Sequence, residues 1–382
     1  MAEKYKRNDP CWCKSGKKYK KCHGHPSYKS KPALSEFMKD LSEIYTKDKC
    51  YAPNDLQHEC SEKIIKAHTV SKSSNLKPIS KSDHVYCFEV NLGEMIKSNG
   101  QLTIAKKSIK KTSIFYGFCS KHDTELFKKI DIDFKISNEH IFLNHYRTLT
   151  RELYIKEKNS IFQSGKMKEY DKGMSLIDQI MYQSQVGGIS MGTDIGERDL
   201  KIVKSILDKK LISQDYDGMK YYAIIIDTVP DIMSTGVWVV SSDFENNQLA
   251  DFSILENNYN SMSVSTLLYS DDKGIVLFSW EDSIDCPECI QFIDSLNKLS
   301  NDDKVKAIVY WLFSINENIY FAPDWWEALE PSKQEQVSKI FHSTLLDLPD
   351  LSLFRDLDVI NWNVDEITTN IEEECSSDND NH

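Results

Sequence analysis

Residues 8–24, Asn-Asp-Pro-Cys-Trp-Cys-Lys-Ser-Gly-Lys-Lys-Tyr-Lys-Lys-Cys-His-Gly, hold the densest set of metal-binding side chains in this chain. Cys11 and Cys13 are separated by one residue, and Cys22 and His23 are adjacent after eight more. Three thiolates and one imidazole complete a tetrahedral zinc site and leave no position open for a substrate. The loop between the pairs is mostly Lys, Ser, Gly and Tyr. It has too little apolar surface to fold alone, so the metal must supply its folding energy. A lysine-rich tail with scattered thiols is the plainer alternative, and four ligands at this spacing speak against it.

A second set of ligand types lies between residues 50 and 123: Cys50, Cys60, Cys119 and His122. Cys119-Ser-Lys-His122 has the spacing of a metal knuckle, and Gly117-Phe118 before it suits a tight turn. Cys50 and Cys60 stand further apart than the usual zinc pair. The four make either a second zinc site or a group of unrelated buried cysteines and a surface histidine. Close by, His68 offers a base that titrates near neutrality. Asp123 offers a carboxylate suited to Mg2+ or another divalent cation. Together these are the needs of phosphodiester hydrolysis; as structural residues, His68 would be a core or zinc-bound histidine and Asp123 a helix N-cap. Lys63, Lys66, Lys72, Lys106, Lys107, Lys110 and Lys111 fall among these residues. Their contacts with nucleic acid would be to phosphate, independent of sequence and sensitive to salt. A solvated lysine face is the commoner meaning of such a run.

Residues 8–24 resemble the SEC-C motif, a small bacterial zinc module. The likeness takes in the leading Asn-Asp-Pro-Cys, the Ser-Gly-Lys-Lys-Tyr loop and the closing Cys-His-Gly. Lys14 departs from it, standing where the family usually carries glycine. The resemblance implies one bound zinc and docking onto a protein or ribosome; it implies no reaction. The order of a cysteine pair, a strand with His68, a strand into Cys119 and a helix from His122 resembles the treble-clef nucleases of the HNH class. That resemblance implies His68 as general base, Asp123 as a cation ligand and Asn75 as the residue orienting the base. It departs at Ala67, which replaces an acidic residue, at His122, which replaces a cysteine, and in the long stretch between the two strands.

The 382 residues leave room for two or three domains and a sizeable core. No apolar run approaches the ~18–20 residues of a membrane-spanning helix, and no secretory signal is visible. A cytoplasmic location follows, in which the ten cysteines read as ligands and free thiols rather than disulfides. Cys286-Pro-Glu-Cys289 lacks the frame of a redox dithiol and reads as structural or as one half of an adventitious site. Charge is lopsided: 33 Lys/Arg against 20 Asp/Glu in residues 1–170, then 14 against 39 in the remainder. A basic front half fits a polyanionic or acidic partner, and equally fits attraction to the acidic half.

The elements that position these residues follow from periodicity. Residues 33–48 read as a short amphipathic helix, 63–70 and 113–119 as strands, with shorter strands at 85–90 and 102–104 between them. Residues 139–168 are helical, 173–186 resume a helix, Val186-Gly-Gly-Ile-Ser-Met-Gly breaks it, and 198–212 form another. Strands follow at 221–228, 235–241 and 274–280, then helices at 285–299 and 302–316, an aromatic turn with Trp325 and Trp326, and a helix over 330–345. The fold class is α+β: a zinc module at 1–26, a linker and helix at 27–48, and a treble-clef region with helical extension at 49–170. A helical connector at 171–216, an α+β domain at 217–346 and an acidic, disordered tail at 347–382 complete it. Two functions stay open. One is nucleic-acid binding with metal-dependent nuclease activity of restriction or antiphage type; the other is a non-catalytic adaptor docking through its finger.

Overall fold

The computed structural model describes residues 5–45, 49–89, 103–343 and 350–371. They divide into two compact units, Met1–Asp48 with Leu153–Lys201, and Lys49–Glu152 with Ile202–His382. The boundaries differ from those expected, because two long helices, Asn138–Ser164 and Leu176–Ser213, each contribute residues to both units.

The first unit holds the cysteine-rich segment, helix α1 (Leu34–Ile44), the C-terminal part of α3 (Asn138–Ser164) and most of α4 (Leu176–Ser213). Phe37 on α1 meets Phe162 and Tyr170 edge-on, with ring centroids 5.5 and 5.0 Å apart. Tyr45 donates its hydroxyl to Asn159 Oδ1 at 2.7 Å. The break expected at residues 186–192 does not occur: α4 runs through it. Each glycine in a helix interior costs about 1 kcal/mol relative to alanine. Buried Val186, Ser190 and Thr193, spaced on one helical face, offset that cost by packing.

In the second unit, the described residues place eight strands in one antiparallel sheet. They are β2 (His84–Glu89), β3 (Thr103–Ser108), β5 (Met219–Ile226), β6 (Ile232–Trp238), β7 (Met262–Leu268), β8 (Gly274–Glu281), β9 (Ile319–Phe321) and β10 (Val364–Thr369). Their order is β10-β5-β8-β7-β6-β9-β2-β3. The sheet therefore joins strands from the expected treble-clef region to those of the expected C-terminal domain. One face of β5, β7 and β8, with Tyr222, Ile224, Val264, Val276, Phe278 and Trp280, packs against α5 (Pro287–Asn297) and α6 (Asn301–Ile315). The other face turns Ser263, Ser265 and Ser279 toward α3, where Asn144 and His145 bond to Ser265 and Ser263 at 2.8 Å.

Three further expectations change. The aromatic turn contains β9 and a short helix, α7 (Pro323–Ala328), ahead of α8 (Pro331–Ser343). Trp325 and Trp326 pack there against Phe321, as core residues. Residues 350–371 are ordered instead of forming part of a loose tail: β10 pairs with β5, Ile367 opposite Ile224. The β10 backbone pairs the open edge of the apolar strand β5, which outweighs the acidic composition; residues 372–382 lie outside the described residues. Cys286 and Cys289 form a disulfide at the start of α5, with Cα atoms 5.5 Å apart, in place of the free thiols expected. Both are buried one helical turn apart in the same core. Among the described residues no helix is long and apolar enough to cross a membrane.

Candidate metal centres

A narrow backbone bridge builds the first centre. Pro10 pairs with Lys18 and the Cys11 amide donates to Lys17 O at 2.9 Å, so the chain reverses between the two ligand pairs. The reversal needs left-handed backbone at Lys14 (φ 55°) and Gly16 (φ 73°). A 3-10 turn, Tyr19–Lys21, then delivers Cys22 and His23. Cys11 Sγ lies 3.2 Å from His23 Nδ1, Cys22 Sγ 3.3 Å from the same nitrogen and Cys13 Sγ 3.5 Å from Cys22 Sγ. All four ligand atoms fall within 4.8 Å of one another.

Ligands around one zinc at ordinary Zn–S and Zn–N lengths stand about 3.6–3.8 Å apart, so the set fits that ion. The other ring nitrogen supports the same assignment: His23 Nε2 is 2.9 Å from Asp171 Oδ2, a carboxylate with no solvent exposure. Metal-bound histidines are held by such partners. Residues 7–24 match the SEC-C motif model. The SEC-C finger occupies a small part of the chain, and no curated protein and no solved structure matches the chain.

The second centre is built by different means. Cys50 lies in an extended segment whose Tyr51 amide donates to Gly117 O at 2.8 Å. The chain passes through a 3-10 turn, Asn54–Glu59, to Cys60. It then runs through β1 (Ala67–His68), which pairs with β4 (Ile114–Phe115). Cys119 is the N-cap of α2 (Ser120–Ile132), and its sulfur accepts from the His122 amide at 3.4 Å. His122 Nδ1 lies 3.3 Å from Cys50 Sγ and 3.4 Å from Cys119 Sγ. With Cys60 these atoms again fall within 4.8 Å of one another, so the wide spacing of Cys50 and Cys60 is closed by the turn between them. The strands expected at 63–70 and 113–119 are cut to these two-residue pairs, because the flanking chain is spent on reaching the ligands.

Burial and hydrogen bonding shift the thiols of this second cluster in opposite directions. Burial pushes the Cys50 thiol up to about 12. Burial also acts against ionising Cys119, yet hydrogen bonds from Ser61 and the His122 amide bring it down to about 6. Lys204 is buried beside the segment that carries Cys50, and its charge is met by Asp208. The lysine Nζ also donates to Tyr51 O at 3.0 Å and to Tyr146 Oη at 2.8 Å. Bound in either centre, zinc would cross-link the segments that supply its ligands.

The two other residues expected to do chemistry enter neither cluster among the described residues. His68 is half-buried with Nε2 3.3 Å from Ile109 O, and burial lowers its pKa. Asp123 sits in the first turn of α2, raised to about 6 by burial against the pull of Arg147. Asn75 is committed elsewhere, accepting from the Leu268 amide at 2.9 Å. Arg147 is buried and pairs with Asp131 at 2.7 Å, so it adds nothing to a basic surface. Lys106 and Lys107 are likewise paired, with Glu327 at 2.8 Å and Glu89 at 3.1 Å. Lys63, Lys66, Lys72, Lys110 and Lys111 are exposed. Sequence reasoning missed Asp171 and Lys204, each of which reaches its ligand loop from a distant segment; no local spacing marks either one.

Proposed function

We propose that this is a zinc-stabilised docking protein whose SEC-C finger binds nucleic acid through its phosphates. One observation carries the reading: Lys6, Arg7, Lys14, Lys17, Lys18 and Lys21 are all exposed around the first centre, and none has an ion pair among the described residues. The lysines at 106 and 107, by contrast, are neutralised within the fold. A compact, metal-fixed cluster of that sign concentrates a polyanion by counterion release.

Fluorescence anisotropy of labelled RNA and DNA oligonucleotides tests it, read across a salt series. Binding should weaken steeply with salt. The triple variant Lys17→Glu, Lys18→Glu, Lys21→Glu should reduce the log–log slope by about 2–3, close to 0.7–0.9 for each phosphate it no longer neutralises. Lys106→Glu with Lys107→Glu should leave the slope unchanged. Equal binding by the triple variant would sink the reading. Finger-dependent binding to ribosomes or to an acidic protein, with none to free nucleic acid, would move it to an adaptor of the kind the SEC-C resemblance implies.

A second reading is metal-dependent hydrolysis of the bound nucleic acid, of restriction or antiphage type. It draws support from the order of the Cys50–Cys60 loop, the antiparallel pair β1–β4 and α2 around Cys119 and His122, which resembles a treble clef with β2 and β3 inserted between the paired strands. His68 would be the base and Asp123 a ligand for Mg2+. Cleavage that needs Mg2+ and is lost in His68→Ala would establish it. Intact substrate after prolonged incubation with Mg2+ or Mn2+ would leave docking alone.

A further inference from the structure

We infer that Asp171 is the positioning residue for His23, and that it couples zinc loading of the finger to the fold of residues 165–185. The two residues lie 148 positions apart in the chain, yet Asp171 Oδ2 is 2.9 Å from His23 Nε2. An Nε2–H donated to that carboxylate leaves the lone pair on Nδ1, which is the nitrogen facing Cys11 and Cys22. The carboxylate therefore selects the tautomer that can bind metal and fixes the ring plane. It also makes the imidazole a stronger donor.

Asp171 is itself held. Its Oδ2 accepts from Gln183 Nε2 at 3.0 Å, and its backbone oxygen accepts from Gln179 Nε2 at 3.2 Å, both on α4. The adjoining loop closes on the finger from a second side. Tyr28 packs on the His23 ring at 4.6 Å, and its carbonyl accepts from the Gly173 amide at 2.8 Å. Gly173 has φ 77°, and a Cβ there would sit 2.7 Å from Lys31 N, so only glycine lets the two backbones meet. The finger is thus joined to α4 through its own ligand. Among the described residues the second centre has no counterpart, since His122 Nε2 is buried without a hydrogen-bond partner there.

The test uses the full chain and reads each centre separately. A chelator titration is followed by thiol alkylation and peptide mass spectrometry, with Cys22 reporting the finger and Cys60 the second centre. In Asp171→Ala, Cys22 should become reactive at about 10–100-fold lower chelator than in the wild type, the usual cost of losing such a partner. Cys60 should not move. Asp171→Asn, which keeps the shape and can still accept from Nε2–H, should recover most of the loss. In the wild type, amide exchange over 165–185 should rise together with Cys22 reactivity. Unchanged Cys22 reactivity in Asp171→Ala would overturn the positioning role, as would an equal shift at Cys60, which would mark a general loss of fold. Full protection of 165–185 after the finger has lost its metal would overturn the coupling.

Discussion

Replacing Lys14 by glycine should tighten zinc binding at the finger. Lys14 holds φ 55°, the left-handed region, between Cys13 and Gly16. An L-residue with a Cβ pays about 1–2 kcal/mol there, and glycine pays none of it. Glycine returns roughly 0.5–1 kcal/mol of that through its greater freedom in the unfolded chain. The net gain is about 0.5–1 kcal/mol. Because the finger folds only with its metal, the gain appears in the metal equilibrium, as about 2- to 5-fold tighter binding at 1.4 kcal/mol per tenfold. Competition against a chelator, read as Cys22 alkylation in the full chain, measures it. Lys14→Ala is the control: it removes the same charge but keeps a Cβ, so it should show no comparable gain. Equal tightening in both variants would mean that charge, not backbone conformation, sets the difference; weaker binding in Lys14→Gly would refute the argument outright.

Elemental analysis should find two zincs per chain, falling to one in Cys119→Ser; a single zinc in the wild type would remove the second centre. His145 gives a pH dependence: burial lowers its pKa from 6.5 to about 4, with the ring against Ser263. The unfolded chain takes up that proton first, so stability is fully present above pH 6.5 and falls toward pH 4, by at most about 1.4 kcal/mol per unit. Urea midpoints measured across that window should slope less in His145→Gln, and parallel profiles for the two proteins would refute the assignment.

What is legible in the sequence is whatever is local. Cys11, Cys13, Cys22 and His23 lie within one short loop, and their types and spacing point to the cluster, able to hold a metal, that the structure brings together. The apolar runs that form β5 and β8 are buried on both faces, which a continuous hydrophobic stretch announces. β7 escapes such a reading because Ser263 and Ser265 look like loop residues; their hydroxyls are satisfied by α3, more than a hundred positions earlier in the chain. β10 is hidden by Asp365 and Glu366 inside an acidic stretch, where composition argues for disorder and only a partner strand can argue otherwise. The long α4 divides at its glycines on paper because local propensity counts their cost and cannot see the packing of Val186 and its neighbours. Asp171 and Lys204 share the same cause, since each meets its ligand loop only through tertiary structure.

The strand order of the sheet also constrains how the protein can be made. β2 finds its neighbour β9 through Tyr86–Phe321 and Cys87–Tyr320, so the β2–β3 pair waits for residues 319–321 to be synthesised. At a translation rate of 5–20 residues per second that wait is about 10–40 s. Throughout it one edge of β2 stands open, and β5 stays uncovered on one side until β10 follows. The interval is long enough for a holding chaperone to engage the nascent chain, and it makes truncation before residue 364 the change most apt to turn an internal edge into a site of self-association.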